Sequence, residues 1–370
     1  MSISACLEKF LNKKFSNQDV QEQMGSALKS YLAYYNDDSV RENAASGGVV
    51  SGILIELLKN KTIDGALVCY TQVINNKVTA IYKIAETIDE ITKASGSKYV
   101  ESSFAKDAWP LIDKYKGNLA IVALPCDLTF LKHKINKNKN LKNRIIISIA
   151  LLCGHNSNST LINTLTKKLA KGKDTPLQKY TFRKGHWRGQ LEANFEDGST
   201  ITKPFSYFSI YQNLFFFPCS KCLYCNDHFG FDADISVGDV WSYDLKQSNI
   251  KTCGITLKNK KVLKLLDKTL QSSAFTINTI DHLKILEGQK RSAPFHFNIS
   301  ARHKAGKLFS IKIPDKVGKK VKWHEYLCAV IVLFNWRWSK SKKYSKLIFK
   351  MPRIILKCYL YLFKGLESLK

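Results

Sequence analysis

Apolar and polar positions along the chain follow two periods. Leu7, Phe10, Leu11 and Phe15 recur at steps of three to four, as do Leu28, Tyr31, Leu32 and Tyr35, so residues 1–36 read as helical. An Asn36-Asp37-Asp38-Ser39 turn and a Ser46-Gly47-Gly48 loop then lead into an apolar helix over residues 49–58. Residues 63–70 and 78–84 predict strands, 88–94 a short helix and 104–115 a longer one. Residues 119–124 and 145–152 are almost unbroken apolar runs, as expected of strands buried on both faces. The basic run between them, 132–144, reads as a solvated loop or helix face. A helix over 160–170 follows, then a hairpin turning at Asp197-Gly198, an aromatic-rich stretch over 205–217, and a strand over 234–239. Helices are predicted over 262–270 and 280–287, and an irregular basic segment over 288–304. The pattern predicts an α/β (α+β) fold with mixed sheets and flanking helices. We divide it at 1–120, 121–300 and 301–370.

The last seventy residues change character. They hold 18 lysines and arginines against three acidic residues, so +15 of the chain's +28 lies here. The apolar run 326–336 is about half the ~20 residues a membrane span needs. Beyond it, Trp338, Leu347-Ile348-Phe349, Ile354-Ile355-Leu356 and the aromatic run 359–363 alternate with lysines, and Pro352 separates two short helices. Basic residues interleaved with large apolar ones suit an interfacial helix on an anionic membrane. A helical hairpin packed on the core with a solvated basic face explains the same pattern. Nucleic acid is the weaker partner class, because no recognition motif accompanies the charge. With 370 residues and 45% hydrophobic content, the chain can bury the core of two domains or one large one. The first twelve residues lack a signal-peptide pattern, which predicts a cytoplasmic protein, peripheral at most to the inner face of the membrane. In that setting its ten cysteines read as reduced thiols or ligands.

Three of those thiols, Cys219, Cys222 and Cys225, stand three residues apart after Pro218. Thiolates so spaced on one turning loop converge on a single centre, and soft sulfur ligands favour zinc or an iron–sulfur cluster. Three cysteines do not complete such a centre, so a further ligand must come from elsewhere. Cys126 and Cys153 each follow a predicted buried strand, where ligands of open α/β sheets collect. A lone buried cysteine is more often a small hydrophobe. Asp234 and Asp239 need partners or a ligand, since unpaired buried carboxylates are costly.

The segment Cys222-x-x-Cys225-x-Asp227, followed by Ala233-Asp234-Ile235-Ser236-Val237-Gly238-Asp239-x-Trp241, resembles the signature of the coenzyme F420 hydrogenase/dehydrogenase beta-subunit family. Ser46-Gly47-Gly48 with its helix, Ser97-Lys98-Tyr99-Val100-x-Ser102, Leu124-Pro125-Cys126, Leu152-Cys153-Gly154 and the Phe182-Arg183 to Trp187 segment resemble further stretches of the family, in order, over about residues 30–295. The resemblance implies an iron–sulfur flavoprotein oxidoreductase. It implies a [4Fe–4S] cluster on Cys126, Cys153, Cys222 and Cys225, with Cys219 as the substitute ligand. It also implies FAD with a phosphate at Ser46, Gly47 and Gly48, where small residues open a helix, and with Lys98, Tyr99, Arg183 and Asp239 nearby. Coenzyme F420 is a further candidate cofactor. Family members among polysaccharide-synthesis proteins suggest a small-molecule or lipid-linked sugar substrate, and an electron-donor protein is a candidate partner. Catalytic residues are not assigned.

The chain departs from the family pattern in three places. Asp127 replaces a common amide or imidazole, His155 follows Gly154 rather than preceding it, and Cys6 alone stands where the family often carries a ferredoxin module. One cluster is therefore expected. The rival class is a non-enzymatic binding protein, with a structural zinc in the Cys219 loop and a tail that docks on membrane or nucleic acid.

Overall fold

A computed structural model describes residues 15–369. Its strands are β1 (Lys29–Tyr35), β2 (Gly65–Ile74), β3 (Lys77–Ala85), β4 (Leu119–Ala123), β5 (Ile145–Leu151), β6 (Leu177–Lys184), β7 (Gln190–Phe195), β8 (Thr200–Pro204), β9 (Ile235–Asp239), β10 (Cys253–Leu257) and β11 (Phe275–Thr279). Eight of them form one sheet in the order β11-β1-β10-β9-β5-β4-β2-β3, and β6-β7-β8 form a separate meander. The middle of the large sheet, β9-β5-β4-β2, is parallel. Its flanks are antiparallel. β4 crosses the 120/121 division.

Side-chain alternation explains the layering. In β4, Ala120 and Val122 face a core shared with the helices Val49–Lys59 and Lys260–Leu270, while Leu119 and Ile121 face one shared with Trp109–Lys114 and Pro125–Ile135. With both faces covered, the central strands can be continuously apolar, which is how their sequences read.

Two expectations need correction. Residues 28–35 are not helical: Tyr31 and Ala33 pair with β10 on one side and β11 on the other, and the tyrosines pack on the sheet's helical layer. The helix in this region is Asn17–Met24, capped by Ser16, and residues 1–14 lie outside the described part. The segment 288–304 is not irregular either. It holds the helices Pro294–Phe297 and Ile299–Gly306, which are largely buried. The basic run 132–144 takes the second of its two readings, an exposed helix face, in Pro125–Ile135 and Lys139–Arg144.

The tail forms three helices, Trp323–Lys340, Lys342–Lys350 and Arg353–Glu367. Val332, Leu333, Ile348, Phe349, Leu356 and Phe363 join the core that contains Phe208 and Phe215 to Phe217. Asn335 donates to the Leu214 carbonyl at 2.7 Å and accepts from the Tyr359 hydroxyl at 2.9 Å. Among the described residues, no helix is long and apolar enough to cross a membrane.

One glycine fixes the chain between the cysteine loop and β9. Gly230 has φ +72°, and a Cβ there would collide with that of Ala150 in β5. We expect Gly230→Ala to destabilise the protein by about 2–3 kcal/mol, from left-handed strain and overpacking together. Urea unfolding measures it. A loss below about 0.5 kcal/mol would mean that the loop does not need this conformation.

Candidate functional site

Two strand ends and one loop bring four cysteines together. β4 ends directly before the helix Pro125–Ile135, whose Pro125 takes the first turn and places Cys126 there. β5 runs into Leu152 and Cys153. Cys222 lies in the 3₁₀ turn Ser220–Tyr224, and Cys225 caps that turn by donating its N–H to the Cys222 carbonyl at 3.1 Å. Backbone bonds stitch the loop to the strand end. The Cys219 N–H donates to the Asn156 carbonyl at 2.8 Å, and the Asn158 N–H to the Phe217 carbonyl at 2.8 Å. The Asn156 N–H donates to the Cys222 sulfur at 3.4 Å. Phe215 and Phe217 enter this loop at positive φ, 56° and 60°, a strained backbone that packing must hold.

Electrostatic coupling links the thiols. Burial raises the Cys153 thiol well above its ordinary range, and Cys222, Cys126 and Cys225 each push it further. Burial raises Cys126 as well, and Asp127, Cys225 and Cys222 add to the shift while Lys221 opposes it. Cys225 is pushed up to about 11 by burial, with Cys222 contributing. Cys153 responds to Cys222, Cys126 and Cys225, and Cys126 to Cys225 and Cys222, so these four thiols neighbour one another. Cys219 joins this set through Cys222. Its strongest interaction is a hydrogen bond to Cys222, which raises Cys219 and lowers Cys222, and its other contact is Glu101 at 3.9 Å.

Four thiols of this kind are the ligand number and type that an iron–sulfur cluster or a zinc ion takes. A zinc ion draws its sulfur ligands to about 2.3 Å of one point. Among the described residues, no three His, Cys, Asp or Glu side chains are gathered tightly enough to hold one metal ion. A cluster several atoms across spreads its cysteines further.

The charge balance supports the same fit. Arg302, 1% exposed, donates to the backbone carbonyls of Leu223 at 3.0 Å and Cys225 at 2.5 Å, and to that of Phe295. Burial lowers this guanidinium to about 9, and only Cys225 and Cys222 pull it back up. A buried cation whose hydrogen bonds all go to carbonyls needs an anion nearby, and cysteine thiolates with their cluster supply one. Lys221 adds a second cation, paired with buried Asp127 at 3.1 Å. Asp227 shapes the loop beyond Cys225 by accepting from the N–H groups of Phe229, Gly230 and Phe231 at 3.0, 2.7 and 2.8 Å.

A cavity of about 680 Å³ lies against this centre. Leu152, Gly154 and His155, the residues flanking Cys153, form part of its wall, and Tyr99, Asp239 and Trp241 form another part. Eight lysines and arginines line it against three carboxylates, so it favours an anionic guest. The His155 ring stacks on Phe215 at 4.5 Å, burial pushes its pKa down to about 3, and its buried Nε2 has no hydrogen-bond partner within the described chain. A polar ligand in the cavity would satisfy that atom.

The residues expected beside a flavin divide into two groups. Arg183, Asp239 and Tyr99 come together. The Arg183 guanidinium, 4% exposed, pairs with Asp239 at 2.5 Å, donates to the Arg188 and Trp187 carbonyls at 3.2 and 2.9 Å, and stands over the Trp241 ring at 4.9 Å. Burial works against its charge, but Asp239 and Tyr99 more than offset that. Tyr99 is held by the rings of Phe205 and Phe182 at 5.2 and 5.6 Å. Lys98 makes its hydrogen bonds elsewhere. Its ammonium caps a helix end through the carbonyls of Ser95 at 3.1 Å, Gly96 at 2.8 Å and Ala94, and burial lowers it to about 8.

Ser46 donates to the Thr252 carbonyl at 2.9 Å and borders a small pocket beside Asp239 and Trp241. Gly47 and Gly48 have reasons of their own. A Cβ at Gly47 would stand 2.9 Å from the Ala33 and Lys251 carbonyl oxygens, and Gly48 takes φ +72° before the helix Val49–Lys59. Arg302, Asn156 and His155 were not assigned roles from sequence. Only the burial of a segment that reads as basic and irregular brings Arg302 to light.

A sheet with thiols at its parallel strand ends, a cysteine loop closed over them and a cavity lined mainly by cations alongside define a redox-type α/β protein. Residues 30–106 match the family profile for the N-terminal part of the coenzyme F420 hydrogenase/dehydrogenase beta subunit, and residues 116–282 match the profile for its C-terminal part. The chain belongs to this family, and membership implies an iron–sulfur oxidoreductase. An uncharacterized protein of Methanocaldococcus jannaschii is 26% identical over 227 residues, which are 59% of this chain and 58% of that one. This chain thus spans little more than half of that relative's length. A chain of the F420-reducing [NiFe] hydrogenase complex from Methanosarcina barkeri shares the fold at 17% identity, with a TM-score of 0.56 over 79% of this chain and 97% of that one. Arg302 and the three tail helices lie beyond the matched family segments.

Proposed function

We propose that the protein is an iron–sulfur flavoprotein oxidoreductase. Its cluster is held by Cys126, Cys153, Cys222 and Cys225, and its FAD sits in the adjoining cavity. The observation that carries this reading is a shared wall: the turn that presents Cys153 also lines the cavity through Leu152, Gly154 and His155. A cluster supplies single electrons and a flavin exchanges them in pairs. The chain's own residues bind, orient and shield. Arg183 and Asp239 fix the cavity wall, His155 offers its free nitrogen, and the Phe205–Phe217 stretch keeps water from the cysteines. Coenzyme F420 is a second candidate for the same basic cavity. The substrate is a phosphate-bearing small molecule, such as a sugar intermediate of polysaccharide synthesis, free or lipid-linked.

Arg353 and Lys357 are exposed and line the cavity, so their replacement should spare the fold. Protein purified without oxygen should retain about one FAD per chain. Arg353→Glu with Lys357→Glu should weaken flavin binding at least about tenfold, by reversing two charges at a site that favours phosphate. Fluorescence titration reads the affinity. Absence of flavin binding, or an unchanged affinity in the double variant, would move the flavin out of this cavity.

A further inference from the structure

The tail helix Arg353–Glu367 has two working faces. Its inner face buries Leu356 and Phe363 in the core and places Arg353, Lys357, Leu360 and Lys364 against the cavity. Its outer face is largely exposed among the described residues, with Tyr361 at its border with the cavity. Ile354 is 66% exposed, Ile355 53%, Tyr361 52% and Leu362 75%, and Cys358 lies exposed among them. At 100° per residue these positions fall on one stripe of the helix.

The neighbouring helices repeat the design. Trp323, Leu327 and Phe334 form an exposed row on the first tail helix, and Tyr344 and Leu347 stand exposed on the second among the exposed Lys342, Lys343, Lys346 and Lys350. Of the 17 exposed large apolar side chains among the described residues, 12 follow residue 300. That concentration coincides with the +15 net charge of residues 301–370. Scattered apolar residues on a surface need no explanation, but a local concentration rimmed by one sign of charge marks an interaction surface.

We infer that the outer face of the tail docks on an anionic lipid surface, with Ile354, Ile355, Tyr361 and Leu362 entering the interface. Charge decides the occupant. The lysines match a surface of uniform negative charge, and the apolar stripe matches the acyl boundary beneath it, which a nucleic acid or an acidic protein does not offer. The geometry sits on the membrane rather than in it, because no described helix is long and apolar enough to span. Docking this way sets the basic wall of the cavity beside the lipid headgroups. The inference does not depend on the cofactor assignment, since Ile354, Ile355 and Leu362 do not line the cavity.

Vesicle flotation of the intact protein tests it, with phosphatidylglycerol–phosphatidylcholine vesicles against pure phosphatidylcholine. The intact chain should float with the anionic vesicles and much less with the neutral ones. Added salt should weaken binding without abolishing it, because the apolar part is unscreened. Ile354→Glu combined with Leu362→Glu changes only exposed positions, so thermal unfolding should stay as in the parent while binding falls at least about tenfold. Failure of the intact protein to float with anionic vesicles would overturn the inference. So would equal binding by a folded double variant, or binding that high salt removes completely. Each of these outcomes leaves the metal and flavin content of the protein unaffected.

Discussion

Cys153→Ser and Cys222→Ser should each strip the protein of most of its iron. Each removes one of four thiols in a shared volume, and a hydroxyl is a harder, weaker ligand for an iron–sulfur centre. Cys222 should be the more sensitive, because the Asn156 N–H and the Cys219 thiol already stabilise its anion. Controls come from the same chain. Cys69 lies in β2 and Cys358 on the exposed tail, so their serine variants should keep full iron content. Cys219→Ser should also keep it, since Cys219 acts through its hydrogen bond to Cys222. Iron analysis after anaerobic purification decides all five. Full iron in both the Cys153 and Cys222 variants would remove the cluster from this site.

Arg302→Met should lower the reduction potential of the cluster, by on the order of 50–100 mV, because a nearby buried cation favours the more negative reduced state. The variant also leaves the Leu223, Cys225 and Phe295 carbonyls without their donor, so some loss of stability accompanies the shift. Arg302→Lys keeps the charge and should restore most of the potential without restoring the fork of hydrogen bonds. A redox titration followed by electron paramagnetic resonance reads it. If Arg302→Met and Arg302→Lys have the same potential as the parent, the guanidinium compensates some other charge.

The parallel centre of the sheet was legible because strands buried on both faces leave an apolar run, as in β4 and β5. The cysteine loop was legible because its spacing is local. β1 was misread because Leu28, Tyr31, Leu32 and Tyr35 happen to meet a helical period. What makes it a strand is pairing with β10 and β11, more than two hundred residues away. Lys98 is held by carbonyls two to four residues back, where a helix ends, a contact that the sequence does not display. Arg302 was missed for the opposite reason: it lies in a basic stretch, and its burial depends on a loop some eighty residues earlier. The two readings of the tail are answered in part. Its helices pack on the core, and they also keep an apolar face outward.

The central claim is that four cysteines hold a cluster and not a single ion. Metal and acid-labile sulfide analysis of the intact protein, purified without oxygen, tests it most directly. The account predicts about four iron and four sulfide per chain with no stoichiometric zinc. One zinc per chain with neither iron nor sulfide would contradict it and would make the Cys219 loop a structural zinc site.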